Sequence, residues 1–205
     1  MTQIGTVTAS GPRWATVTRS TKETHITVTL KLDGTGETKI ETGVGFYDHL
    51  LNSLAHHALF DLEIDASGDL VIDEHHTVED VALVFGAALA QALGDRSGIV
   101  RFGDSSVPMD ESVAMAVLDV GGRPYAVIDL PFKGKRAGKM PLELIEHALE
   151  SFAGAGGVTL NLKGRGRNDH HLAEAAFKAL GRALSAAVAV DPRRHGPAST
   201  KGALG

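Results

Sequence analysis

The hydrophobic pattern changes period several times along the chain, and the order of those changes occurs twice. Residues 25–32 are a β-branched run, Asp33-Gly34-Thr35-Gly36 has turn chemistry, and residues 37–41 resume an extended pattern, which together predict a β-hairpin. From Phe46 the apolar positions fall at helical spacing, with Phe46, Leu50, Leu51 and Leu54 on one face of a helix over 46–57. Phe60, Leu62 and Ile64 then alternate with Asp61 and Glu63, as in a half-buried strand. A second helix is predicted from about 75 to 93, with Asp73 placed to cap it and Gly94 to end it. The same signals return downstream: a hairpin from 112–120 and 125–130 around Gly121-Gly122, a helix over 142–152 and a strand carrying Val158, Leu160 and Leu162. A helix over 170–188 follows, capped by Asn168 or Asp169. The stretch 131–141, rich in Lys, Arg and Gly, reads as an exposed, mobile loop. This order predicts an α+β fold of two similar halves, in which mixed β-sheets pack with a layer of helices.

The repetition holds at the level of residues. His75-His76-Thr77-Val78-Glu79 is matched 95 residues later by His170-His171-Leu172-Ala173-Glu174. Asp48-His49 begins a stretch that aligns with Glu146-His147, and Glu23 and Glu111 each precede a β-rich run. We read an internal duplication, with pseudo-repeats of about 10–104 and 105–195 in a single domain of residues 1–205 that ends in a tail. On a helix, His75 and Glu79 are i and i+4 and share a face, so imidazole and carboxylate can reach one ion; His170 and Glu174 repeat the arrangement. His76 and His171 lie about 100° around the helix from their neighbours, which suits a second ion. Two sites that share ligands are the simplest picture.

Composition narrows the function classes. A net charge of −5, scattered basic residues, two tyrosines and one tryptophan give a nucleic-acid surface little support. Ten histidines are many for 205 residues, and the absence of cysteine excludes thiolate chemistry and sulfur-ligated zinc. No apolar run approaches the ~20 residues of a membrane span, and the first residues lack a signal pattern, so a cytoplasmic location is the default.

Seven strings, in order, carry a resemblance: Phe46-Tyr-Asp-His-Leu-Leu51, Asp73-Glu-His-His-Thr-Val-Glu-Asp80, Arg101-Phe-Gly103, Pro108-Met-Asp-Glu111, Gly121-Gly-Arg-Pro-Tyr125, Asn168-Asp-His-His171 and Ser199-Thr-Lys-Gly202. Together they resemble the imidazoleglycerol-phosphate dehydratase family of histidine biosynthesis, over nearly the whole chain. The resemblance implies the layered fold called ribosomal protein S5 domain 2-like. It also implies loss of water from D-erythro-imidazole glycerol phosphate to give imidazole acetol phosphate, a hydro-lyase reaction at two manganese ions (Mn2+) that hold the substrate as an imidazolate. Family members assemble as homo-oligomers of 24 subunits built from trimers.

On this resemblance the metal ligands are His49, His75, His76, Glu79, His147, His170, His171 and Glu174. One ion is expected on His75, Glu79, His171 and one upstream histidine, and the other on the equivalent set. Glu23 is the leading acid/base group, and Glu174 both ligates and moves a proton; Asp110 and Glu111 are alternatives that read equally well as turn carboxylates. The phosphate of a small-molecule substrate is expected at Arg101, Arg123, Lys178, Ser199 and Lys201, with His57 near the substrate. Lys178 also shares the helix face of Glu174 and His171. His25, His56 and His195 are left as structural or solvent-facing, and Arg165 and Arg167 as solvated or at a subunit contact. A binuclear phosphate-ester hydrolase and a metal-storage shell are the competing classes. The first would favour an aspartate-rich bridge that the chain lacks, and the second leaves the arginines, lysines and serine unexplained.

Overall fold

The computed structural model describes residues 13–202. The start of the first pseudo-repeat near residue 10 and the last three residues of the tail lie outside them. The elements run β1 (Trp14–Ser20), β2 (Thr24–Lys31), β3 (Thr38–Glu41), α1 (Gly45–Ala58), β4 (Asp61–Gly68), α2 (His75–Leu93), β5 (Phe102–Met109), β6 (Ser112–Asp119), β7 (Tyr125–Asp129), β8 (Arg136–Ala137), β9 (Met140–Pro141), α3 (Glu143–Gly156), β10 (Thr159–Arg165) and α4 (Asp169–Val188). Among the described residues no helix is long and apolar enough to cross a membrane.

Two four-stranded sheets share one plan, β1-β2-β4-β3 and β5-β6-β10-β7. In each, the first three strands in that order pair antiparallel and the last pair is parallel. This corrects both predicted hairpins: β2 does not pair with β3, nor β6 with β7, because β4 and β10 insert between them. The inserted strands carry the larger buried side chains, Leu62 and Ile64 in one and Leu160 and Leu162 in the other. A strand with both edges paired is the place to bury them, whereas β3 and β7, mostly exposed, lie at the edges. The turn signal at 33–36 instead wraps the end of β4, where Asp61 Oδ1 accepts from the backbone of Thr35 at 2.8 Å and Glu37 at 3.2 Å.

The sequence pattern also missed β1 and β5. In β5 a glycine and Pro108 interrupt the run, and Pro108 is tolerated because this strand is an edge. The division expected near residue 104 falls within β5, which pairs with β6 and so belongs to the second sheet. The stretch 131–141 is not simply an exposed loop either. It holds the small β8–β9 pair, buries Ala137 and Met140, and is pinned by Asp169, whose carboxylate accepts from the backbone of Lys133 at 3.0 Å and Gly134 at 2.6 Å.

All four helices lie on the inner faces of the sheets, and they pair across the seam between halves: α1 against α4, and α2 against α3. The crossings are close because each has a glycine in the same place. A Cβ on Gly181 would stand 2.3 Å from the Leu54 carbonyl oxygen, and one on Gly86, at the equivalent position of α2, 2.5 Å from that of Phe152. Phe85 and Phe152 fill the second seam with ring centroids 4.9 Å apart.

At the start of α4 the cap is Asn168, which accepts from the backbone of His170 at 3.0 Å, while Asp169 serves the neighbouring loop. Asp73 accepts from His75 at 2.8 Å in the same relation to α2, although Glu74 is the N-cap by position. Asn168→Ala is expected to lower stability by about 1 kcal/mol, as loss of an N-cap acceptor does elsewhere; urea unfolding of the metal-free chain measures it.

Candidate metal centre

Because the caps fix where α2 and α4 begin, each His-His pair occupies a first turn and each glutamate lies one turn further along the same face. In α4, His170 Nε2 is 2.9 Å from Glu174 Oε1. From α1, across the seam, His49 Nε2 reaches the same oxygen at 2.8 Å, and Lys178 Nζ approaches Oε2 at 2.7 Å. The Phe46 ring lies 5.0 Å from that of His170 and makes one wall. Burial would raise the Glu174 carboxyl, but bonds from Lys178, His49 and His170 outweigh it and hold the group at about 2. The carboxylate is therefore ionised and ready to ligate at neutral pH. Lys178 was expected to face phosphate; here it forms an ion pair with Glu174.

The second cluster repeats the first from equivalent positions. His75 Nε2 is 3.6 Å from Glu79 Oε2, and His147, brought from α3 across the other seam, is 3.5 Å from Glu79 Oε1. The two imidazoles stack with centroids 4.8 Å apart. The His147 contact is within ion-pair distance but not in hydrogen-bond geometry, so this buried Nε2 has no hydrogen-bond partner among the described residues. An orphaned imidazole nitrogen facing a carboxylate and a second imidazole is a donor set that a divalent cation would satisfy. In each cluster the ligand atoms lie within 4.8 Å of one another, and each draws on both halves.

The other two expected ligands lie elsewhere. His171 does not join His75 and Glu79 within the chain. Its Nδ1 is 2.9 Å from Glu111 Oε2, with Asp110 Oδ2 at 3.8 Å. Glu111 is also held by Ser112 Oγ and by the backbone of Arg167 and Asn168. The bond from His171, the largest influence, and those from the backbone and Ser112 keep its carboxyl well below the usual range. His76 Nδ1 bonds Asp69 Oδ2 at 3.0 Å, a partner that no local pattern revealed. Glu23 lies in a cleft of about 250 Å³ that it shares with Arg19, His76, Glu79 and Asp80.

A sequence model of the imidazoleglycerol-phosphate dehydratase family matches residues 42–184, a span that includes both clusters. The chain belongs to this family. It is 52% identical over 192 residues to the imidazoleglycerol-phosphate dehydratase of Methanoculleus marisnigri, covering 94% of this chain and 100% of that one. The Chloroflexus aurantiacus enzyme of the same name is 52% identical over 194 residues, covering 94% and 95%. Among solved structures, the Staphylococcus aureus dehydratase superposes with a TM-score of 0.79 at 32% identity, covering 87% of this chain and 99% of that one. The Pyrococcus furiosus dehydratase gives 0.79 at 32% identity, covering 92% and 100%.

Against that family background, the residues expected for phosphate separate into two places. Lys178 stands beside Glu174, and His57 is near enough to Lys178, Arg182 and Glu174 to feel their charges; burial is the main reason its imidazole is pushed down. Arg101 lies at the far end of α4. Its backbone nitrogen donates to Ala187, which puts it on the order of 25 Å from His170 at 1.5 Å per helical residue. There its guanidinium forms two 2.7 Å bonds to Asp119 and one of 2.6 Å to the Ala198 carbonyl. That last contact brings Ser199, and Lys201 two residues on, to the same end; burial would raise the Asp119 carboxyl, but the bonds from Arg101 and Gly121 outweigh it, and Arg123 is close enough to lower it further. Within one chain, then, the structure gathers Arg101, Arg123, Ser199 and Lys201, but away from both clusters. His25, His56, His195, Arg165 and Arg167 are exposed, in keeping with the modest roles given to them.

Proposed function

We propose that the chain is a hydro-lyase that dehydrates D-erythro-imidazole glycerol phosphate to imidazole acetol phosphate in L-histidine biosynthesis. The observation that carries this reading is the pair of equivalent imidazole–carboxylate clusters, one on each helix seam, in a member of this family. His49, His170 and Glu174 would hold one manganese ion and His75, Glu79 and His147 the other, with His76 and His171 completing the sets from a neighbouring subunit. Sulfur-free imidazole and carboxylate donors suit Mn2+. When bound, the metals would supply the Lewis acidity that favours the imidazolate form of the substrate's ring and the departure of the adjacent hydroxyl.

The remaining work falls to side chains. Glu23 takes the proton from the carbon next to the one that loses hydroxyl, and the enol so formed becomes the ketone. Glu174, fully ionised, holds its imidazoles and Lys178 in place. Arg101, Arg123, Ser199 and Lys201 would anchor the phosphate. Their distance from the clusters of their own chain favours a site completed between subunits, in line with a homo-oligomer of 24 chains built from trimers and located in the cytoplasm.

The test is turnover by metal-stripped protein refilled with Mn2+, following ketone and inorganic phosphate together. Ketone that appears only with metal, and without phosphate release, supports the dehydratase; phosphate release would point to a hydrolase, and no ketone at full loading would exclude the reaction. For the anchor, Arg101→Gln is expected to raise KM about 10–100-fold with a smaller change in kcat. A charge-assisted bond contributes roughly 1.5–3 kcal/mol, and a phosphate contact made equally in the ground and transition states acts on KM. Steady-state kinetics decides between this and a loss confined to kcat.

A further inference from the structure

His76 and His171 hold equivalent places in the first turns of α2 and α4, and neither enters the cluster beside it. Each gives Nδ1 to a carboxylate, Asp69 at 3.0 Å and Glu111 at 2.9 Å. The two carboxylates are not equivalent. Glu111 immediately precedes β6, and the matching residue before β2 is Glu23, whereas Asp69 follows β4. The halves therefore make one contact with different residues. In consequence Glu111 is fully occupied, while the side chain of Glu23 makes no hydrogen bond or ion pair among the described residues.

A neutral imidazole carries one N–H. If a carboxylate accepts that proton's bond at Nδ1, the lone pair is left on Nε2, the atom then able to bind a cation. We propose that Asp69 and Glu111 are positioning residues with a common task, to hold His76 and His171 in the tautomer and ring orientation that make Nε2 a metal donor. This rests on the reading above that the two histidines ligate the ions. It also accounts for the inequality of the duplicated glutamates: Asp69 does for His76 what Glu111 does for His171, and Glu23 is thereby released for proton transfer.

The test uses the full chain, stripped of metal and titrated with Mn2+ by calorimetry, with thermal melting of the metal-free protein alongside. Asp69→Asn and Glu111→Gln keep shape but can turn an amide N–H toward Nδ1, which favours a proton on Nε2. Each is expected to weaken Mn2+ binding about 10–100-fold, the usual range for an outer-shell partner, with the metal-free melting temperature little changed. Asp69→Asn is expected to add no further loss in a His76→Gln background, since it acts only through that ring. If either carboxamide variant also destabilises the metal-free chain, that double-mutant comparison still decides, because losses that add would overturn the proposal. Unchanged affinity in Asp69→Asn beside weakened binding in His76→Gln would overturn it and leave the metal reading intact. No effect from His76→Gln and His171→Gln would overturn both.

Discussion

Glu23→Gln is expected to lower kcat on the order of 10²- to 10⁴-fold, the range that positioned general bases contribute, while Mn2+ affinity stays within a few-fold of wild type. Glutamine preserves the volume of the side chain in the cleft beside His76 and Glu79 but cannot accept a proton. Little structural cost should follow, because Glu23 is exposed and its side chain makes no hydrogen bond or ion pair among the described residues. Single-turnover measurements on Mn2+-loaded protein separate the chemical step from product release. A kcat within tenfold of wild type would remove Glu23 from the mechanism and return attention to Glu174, whose carboxylate is already committed to two imidazoles and Lys178.

The largest effect on stability is expected from a single methyl group. In Gly181→Ala the new Cβ meets the Leu54 carbonyl oxygen at 2.3 Å, with the Leu54 carbonyl carbon at 3.2 Å and the Ala58 nitrogen at 3.3 Å. These are backbone atoms of another helix, so no side chain can rotate away, and α1 and α4 must move apart. Overpacking of this kind costs about 3 kcal/mol, the upper part of its usual range, and outweighs the gain of about 1 kcal/mol in helix propensity from replacing glycine. Denaturant unfolding should show a clear fall in midpoint. The separation should also loosen the His49–Glu174 contact, so Mn2+ affinity is expected to fall with it. A variant as stable as wild type would mean that the crossing is looser than its geometry implies.

Local signals in the sequence carried far, and non-local choices did not. The His-His-x-x-Glu helices were legible because one turn of helix puts i and i+4 on one face without help from the rest of the fold. His49 and His147 were legible through their matching positions in the two halves. Strand order was not: Asp33-Gly34-Thr35-Gly36 has the chemistry of a tight turn, but the central place in the sheet is decided by how much apolar surface β4 buries there, which the turn does not encode. Pro108 and Gly103 concealed β5 for the opposite reason, since an edge strand tolerates residues that a propensity reading penalises. Asp69 was invisible because a loop carboxylate seven residues before His76 follows no periodicity. The contact between His171 and Glu111 was hidden because Glu111 reaches the ring from the turn between β5 and β6, a proximity that only the folded sheet creates.

Each cluster takes two donors from one half and one from the other. A polypeptide of either half alone would therefore own neither three-donor cluster: the first would hold His75 and Glu79 without His147, and the second His170 and Glu174 without His49. Two copies of a single half, related by a twofold axis along the helix seam, would form two such clusters at once. The present chain is such a dimer written as one polypeptide. The covalent link makes its pairing independent of concentration and leaves each copy free to diverge, as Glu23 and Glu111 have done.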